Sequence, residues 1–328
     1  MIHPVTQVRV PDFLAGVIVP MFTPAREDGN IDYDSLREYT RWLVENPAVT
    51  SLFCRSGVGR MYTYRLEEIR KFLDTVMETV GGKKPVLCCT NGEYHGDFSR
   101  KTDPVRYLEE TLELTEYAKK VGTAAIVLVV PAGLPVAADS TVEETVFAFY
   151  QQVHDRTDVS ILIYNPQNIP ANYSTTPAMI RRVASLSRII GMKLSTTDLY
   201  WMSNLISAAN EKEFYMIAGS ECAFYQALLT GAVGVIGQGC STYPHILRRI
   251  LDAVSAGDLA AARQAQFDVN LALDGFSGLS PDISGFAYLR KKGLQVSPYC
   301  RDGSAPLQPE IVETIYRAIE PICQKYMT

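Results

Sequence analysis

From residue 15 to about residue 240 the chain alternates short, nearly all-apolar runs with longer amphipathic stretches. A run that is apolar throughout suits a strand buried on both faces, and one-sided periodicity suits a helix with a single face packed inward. Eight runs read as strands: Gly16–Met21, Ser51–Cys54, Pro85–Cys89, Ala124–Val129, Ser160–Tyr164, Ile189–Lys193, Phe214–Ala218 and Gly234–Ile236. Between them Tyr33–Glu45, Leu66–Val80, Pro104–Lys120, Thr141–His154, Pro177–Leu186, Asp198–Ala209 and Glu221–Thr230 read as helices. Strand and helix in strict alternation predict βα units around a parallel sheet. Eight strands favour a closed (β/α)8 barrel of the TIM type over an open doubly wound sheet.

Local signals support these limits. Asp32 or Asp34 is placed to cap the first helix and Ser140 the fourth, while Gly81 and Gly122 stand where the second and third must end. Past residue 240 the strand signal stops. Helical stretches remain at Pro244–Ala256, Leu259–Leu273, Ser284–Lys292 and Gln308–Tyr326, with Asp258 and Pro309 marking helix starts. Ser277–Ser284 reads as a loop from its Gly, Pro and Ser content. The expected organisation is a barrel with an N-terminal extension over residues 1–256 and a helical appendage over 257–328.

The 328 residues suit one such barrel, which takes about 250, with an appendage. A chain 47% apolar and 20% charged can bury a substantial core. Its 31 basic and 36 acidic residues leave a net charge of −5 with no long run of one sign, so neither nucleic acid nor a membrane is an expected partner. The most apolar stretch, Ala124–Ala138, is broken by Pro131, Gly133 and Pro135 and falls short of the roughly 20 residues a membrane helix needs. Met1–Pro11 lacks the basic patch and apolar core of a secretory signal, which makes a cytoplasmic location the expectation. Seven cysteines are spread along the chain, and Cys88 and Cys89 would face opposite ways on one strand, so reduced and mostly buried thiols are expected. His3, His154 and His245 show no metal-ligand spacing, and no metal is expected.

The run Ile189-Ile190-Gly191-Met192-Lys193 ends on an amine. Active sites of these barrels sit at the C-terminal strand ends, and a lysine amine partly withdrawn from water there is a nucleophile for ketones. The resulting imine, once protonated, draws electrons from the adjacent C–C bond and lets it break or form. A rim lysine that reaches out to solvent or pairs with a carboxylate fits the position equally well. Tyr164 tilts the balance. It ends Ile161-Leu162-Ile163-Tyr164 on the preceding strand at the same height, and a phenol beside an amine can carry protons as the imine forms and hydrolyses. A lone tyrosine is more often a packing aromatic, so the pair is more informative than either member.

These residues, with Gly16-Val-Ile-Val-Pro-Met-Phe-Thr-Pro24, Asp28-Gly29, Tyr164-Asn165, Gly191-Met192-Lys193, Gly231-Ala-Val-Gly234-Val-Ile and Gly257-Asp-Leu-Ala-Ala-Ala-Arg263, resemble the dihydrodipicolinate synthase and N-acetylneuraminate lyase superfamily of pyruvate-dependent class I aldolases. The likeness runs from about Gly16 to the C-terminus. It implies a barrel with a C-terminal helical appendage, Lys193 as the Schiff-base lysine and Tyr164 as the acid/base tyrosine. It also implies a homotetramer built as a dimer of dimers, with no metal or organic cofactor.

Departures accompany the likeness. A Gly-Thr-Thr-Gly-Glu-type loop holds the pyruvate carboxylate in the family, and Arg55-Ser56-Gly57-Val58-Gly59-Arg60 stands in its place. The amides of Gly57, Val58 and Gly59 are still expected to face a carboxylate, while the hydroxyl relay is expected to be lost. Arg60, with Arg55, is expected to meet a substrate carboxylate; an ion pair with Glu67 or Glu68 is the plainer alternative. Pro131-Ala132-Gly133-Leu134 lacks the tyrosine that the family lends from a partner subunit. Gln167, Asn168, Ile169 and Pro170 offer no arginine for the second carboxylate bound by dihydrodipicolinate synthase. Thr90–Asp103, with Glu93, His95 and Arg100, is either a specificity lid or a solvated or subunit-contacting excursion. Ser195 and Thr196 serve substrate hydroxyls or cap the next helix, and Gly237, Gln238 and Gly239 leave room for ligand or simply turn.

The leading expectation is cleavage of a 2-oxo-3-deoxy acid to pyruvate and an aldehyde, or the reverse condensation. A dehydratase or a dihydrodipicolinate-synthase-like enzyme would use the same lysine imine. Outside catalysis, the alternatives are a weakened protein that binds 2-oxo acids and a phosphate-binding barrel using Gly231–Gly239, a loop without a nearby cation.

Overall fold

The computed structural model describes residues 1–209, 213–276 and 278–327, so Ser277 of the expected loop, residues 210–212 of the expected barrel range and Thr328 of the appendage lie outside it. Eight parallel strands close into a barrel in chain order: β1 Val17–Pro20, β3 Val49–Cys54, β4 Val86–Cys89, β5 Ala125–Val129, β6 Ile161–Asn165, β7 Ile189–Leu194, β8 Tyr215–Ala218 and β9 Gly234–Val235. β2, Pro24–Ala25, lies outside the barrel. The helices between them are α1 Tyr33–Glu45, α2 Leu66–Val80, α3 Pro104–Lys120, α4 Val142–Asp155, α5 Pro177–Val183, α6 Leu199–Ala208 and α7 Phe224–Thr230. α8 Pro244–Ser255, α9 Leu259–Gly275, α10 Pro281–Lys291 and α11 Pro309–Gln324 follow the last barrel strand. The (β/α)8 barrel expected from the sequence is the fold. No helix among the described residues is long and apolar enough to cross a membrane.

Alternation along the strands divides the apolar side chains into two cores. Val17, Val19, Ile126, Leu128, Ile161, Ile163, Met192 and Leu194 face the helical layer. Ile18, Phe53, Leu87, Val127, Leu162, Tyr164 and Ile217 fill the barrel, together with Val10, Leu14 and Ala15 of the N-terminal extension. Cys88 belongs to the outer core and Cys89 to the inner one, and all seven cysteines are free. This parity positions the chemistry: with Met192 and Leu194 outward, Lys193 between them turns into the barrel.

Three local expectations are corrected. α4 is capped by Thr141, in a reciprocal arrangement with Glu144, because the threonine rather than Ser140 immediately precedes the first helical residue. The expected loop Ser277–Ser284 is cut short by α10, which starts at Pro281, since proline suits the first turn of a helix as well as a loop. The strand signal does not end at residue 240. β10, Tyr299–Cys300, pairs antiparallel with β2, a two-residue ribbon too short to show alternation.

Buried contacts lash the later helices to the barrel. Phe286 of α10 packs edge-on against Phe22 and Tyr39, each 5.3 Å away. Arg301, just past β10, grips Glu68 of α2 through two nitrogens at 3.0 and 2.8 Å. Burial alone would push the Glu68 carboxyl up, but the Arg65 amide and the Arg301 guanidinium outweigh it and hold it below its ordinary range.

Candidate active site

Tyr164 and Lys193 are register partners on β6 and β7, so parallel pairing carries them to one level at the C-terminal end of the barrel. Both are buried. Lys193 Nζ lies 4.1 Å from the centre of the Tyr164 ring and 5.8 Å from that of Phe53. The amine points into the barrel mouth rather than out to bulk water. Gly191, two residues earlier, is required by the close approach of β8, since a Cβ there would meet the Tyr215 carbonyl oxygen at 2.2 Å.

Above the pair opens a cavity of about 600 Å³, lined by Gly57, Val58, Arg60, Tyr62, Tyr164, Lys193, Ser195, Glu221, Gly237 and other residues of the strand-end loops. That size suits a small-molecule ligand. Seven of the eight residues expected at the site from the sequence line it, and Gly59 does not. The Gly59 amide turns back to the Ser56 carbonyl at 3.1 Å, and a Cβ there would meet the Met21 carbonyl oxygen at 2.3 Å. Gly59 is a packing glycine. Gly57 faces the site instead, and a Cβ on it would lie 3.4 Å from the Tyr164 hydroxyl.

The two arginines have partners that sequence spacing did not suggest. Arg60 donates to Asp282 through Nε at 2.8 Å and Nη2 at 3.0 Å, and it also meets Asp302 at 2.7 Å. Its charge is spent on the α10 end of the appendage, not on Glu67 or Glu68, because the αL backbone of Arg60 turns it toward residues more than 200 positions away. Arg55 is buried beneath the mouth and donates to the backbone carbonyls of Met61, Asn91 and Gly92. It holds the loops after β3 and β4 together.

On the opposite rim, Glu221 is buried and accepts from the Gly239 amide at 2.7 Å. Burial pushes its carboxyl up against the opposing pull of backbone amides and Lys193. Ser195 lines the cavity, whereas Thr196 accepts from the Asp198 amide at 3.0 Å at the start of α6.

The 90–103 segment lies against the site through aromatic side chains. Phe98 lines the cavity, and the Tyr94 ring covers Gly133, where a Cβ would come within 2.6 Å of it. Tyr94 also meets Tyr62 edge-on, 5.6 Å between centres at 90°. His95 is exposed, and it is Tyr94 and Phe98 that connect this segment to the pocket. Sequence reading missed Tyr62, Tyr94 and Glu221. For Tyr62 the available signal was its place two residues past the loop 55–60; for Glu221 it was an acid three residues past the β8 end.

The model of the family described as the dihydrodipicolinate synthetase family matches residues 13–322. A 4-hydroxy-tetrahydrodipicolinate synthase of Thermus thermophilus is 27% identical over 309 residues, covering 93% of this chain and 95% of that protein. Among solved structures, a Ruminococcus gnavus sialic acid aldolase catalytic lysine mutant superposes with a TM-score of 0.83 at 19% identity, covering 98% of this chain and all of that one (100%). YagE of E. coli, a protein of the dihydrodipicolinic acid synthase family in complex with pyruvate, superposes with a TM-score of 0.79 at 22% identity, covering 94% and 98%. At these identities the two structures speak for the fold.

Proposed function

The chain belongs to the dihydrodipicolinate synthetase family and is a lyase of the imine-forming aldolase type, and from that premise we propose that Lys193 captures a pyruvate-type 2-oxo acid while Tyr164 carries the protons. The observation that carries the reading is the pair itself: a buried amine 4.1 Å from the centre of a buried phenol ring, at the floor of a cavity of about 600 Å³. Lys193 Nζ attacks the ketone carbon, the C–O bond breaks with loss of water, and the protonated imine becomes the electron sink. Cleavage of the next C–C bond then leaves an enamine and an aldehyde. Tyr164 takes the proton from the hydroxyl that becomes the aldehyde and returns one to the enamine carbon.

The amides of Gly57 and Val58 receive the 2-oxo acid carboxylate, and Ser195 and Gly237 border the space for the rest of the substrate. The substrate class that fits is a 2-oxo-3-deoxy acid. Absence of an arginine in Gln167–Pro170 supports aldol cleavage over dihydrodipicolinate synthesis. The reading extends to a cytoplasmic homotetramer, a dimer of dimers; the exposed Phe267 and Leu271 on α9 supply apolar surface for such contacts, and light scattering behind a sizing column measures the mass.

Borohydride reduction in the presence of pyruvate tests the chemistry. The expected result is a covalent adduct on Lys193, located by peptide mass spectrometry, with pyruvate released from a cleaved sugar-derived acid. A protein that traps no 2-oxo acid would be a binding protein instead.

A further inference from the structure

A phenol that removes a substrate proton must exchange it with a second group, or it can only hand the same proton back. On the loop after β3 the natural place for such a group is residue 57, whose Cβ position lies 3.4 Å from the Tyr164 hydroxyl, and this chain has glycine there. Most other proton-bearing side chains around the cavity are engaged. Arg60 is bound to Asp282 and Asp302, Glu221 accepts from the Gly239 amide, and Cys222 sits 3.1 Å from the Ser220 hydroxyl.

Tyr62 stands apart from these. It lines the Lys193 cavity and also a second, smaller space of about 10 Å³ that shares Met61 with it and is bordered by Arg55, Cys89, Asn91, Tyr94 and Tyr107. A volume of that size is about one water molecule. The Tyr94 hydroxyl, at this second space, is buried with no hydrogen-bond partner among the described residues. Tyr62 and Tyr164 line the same cavity, and burial, then the phenols of Tyr107 and Tyr164, push the Tyr62 hydroxyl up, so Tyr62 holds a proton at neutral pH. Its ring is also held in place. Tyr94 meets it edge-on, and Gly96, where a Cβ would come within 3.0 Å of the Tyr62 ring, leaves room on another side.

Resting on the imine reading of Lys193, we propose that Tyr62 is the proton-exchange partner of Tyr164 and stands in for the hydroxyl that Gly57 lacks. Having given its own proton to the hydroxyl that departs as water when the imine forms, the Tyr164 oxygen takes a methyl proton from the pyruvate imine; the C–H pair becomes the enamine double bond and the C=N pair returns to nitrogen. The proton on Tyr164 moves to the Tyr62 oxygen as Tyr62 gives its own proton to a solvent water molecule, leaving both phenols neutral and the proton on water. A different proton returns along the same route to carbon. No oxidant or further reactant is consumed.

The test uses the full chain with pyruvate in D2O and two readouts: borohydride-trapped adduct on Lys193 by mass spectrometry, and deuteration of the pyruvate methyl group by proton NMR. Tyr62→Phe keeps the ring packing and is expected to form the adduct as the wild type does, while deuterating the methyl group about tenfold more slowly or worse. Adding Gly57→Ser is expected to restore most of the rate. Should Tyr62→Phe fail to fold, 3-fluorotyrosine at position 62 keeps the shape and acidifies the phenol, and its exchange rate is expected to change with the adduct intact. Wild-type exchange rates in these variants would overturn the relay and leave the imine standing, as would a wild type that forms the adduct without exchanging. Absence of adduct in the wild type overturns the Lys193 reading itself.

Discussion

Lys193 Nζ lies 4.1 Å from the ring centre of Tyr164, its register partner on the adjacent parallel strand. The relationship depends on strand register as much as on residue type. The pairing Leu162↔Gly191, Ile163↔Met192, Tyr164↔Lys193 follows an irregularity between Ile161 and Leu162, and a slip of one residue would turn one of the two side chains out to the helices.

Lys193→Met is expected to abolish borohydride trapping of pyruvate and to leave the fold intact. The amine is buried with the Tyr164 and Phe53 rings as neighbours, and a thioether of similar length needs no polar partner in that place. The melting temperature should therefore hold or rise. Peptide mapping and a thermal melt on one preparation check both halves; an adduct surviving on another lysine would remove Lys193 from the mechanism.

Gly237→Ala is expected to cost roughly 1–3 kcal/mol, because it forces a side chain into a filled space. A Cβ at 237 would stand 2.1 Å from Glu221 Oε2 and 2.8 Å from its carboxyl carbon, so the carboxylate that accepts from the Gly239 amide must give way. Urea unfolding measures the loss. A variant as stable as the wild type would mean that this rim yields freely.

The pH dependence of stability at Glu221 has a definite sign. Burial raises the folded-state pKa above the unfolded value, so the stability this group contributes is complete below the ordinary glutamate range, near 4.5, and is lost as pH rises through the raised folded value. Glu221→Gln keeps an oxygen for the Gly239 amide and cannot ionise. Wild type minus variant, measured as melting temperature in steps from pH 4 upward, should fall with rising pH. A flat or rising difference would show that Lys193 and the backbone amides fully compensate the buried charge.

What the sequence made legible follows from where the controlling interactions lie. α1, α2 and α3 are found at their expected limits, because Asp32, Gly81 and the Asp103-Pro104 pair end them with adjacent residues. The strand parity that turns Tyr164 and Lys193 inward is equally local. By contrast, the partner of Arg60 is 222 positions away, the β2–β10 ribbon is two residues long, and Tyr62 belongs to a short 3-10 turn, Met61–Thr63, with no periodicity of its own. Gly57 and Gly59 read alike in sequence, yet one faces Tyr164 and the other the Met21 carbonyl. Only the path of the chain separates them.

Arg60→Ala should act on stability before it acts on substrate binding. Its guanidinium makes a two-pronged contact with Asp282, whose side chain is 1% exposed, and removing it leaves that carboxylate buried with only the neutral Ser280 hydroxyl, Ile283 amide and Cys300 thiol beside it among the described residues. Breaking one side of a buried pair costs about 3–5 kcal/mol, and the lower end applies because Arg60 itself is 28% exposed. The double change Arg60→Met with Asp282→Asn removes the stranded charge and should recover more than half of the loss, which separates the charge from simple packing. Urea unfolding of the three proteins gives the two differences, and pyruvate titration of the trapped adduct gives the affinity. A single variant that weakens pyruvate capture while unfolding like the wild type would return Arg60 to the role of carboxylate ligand and detach it from the appendage.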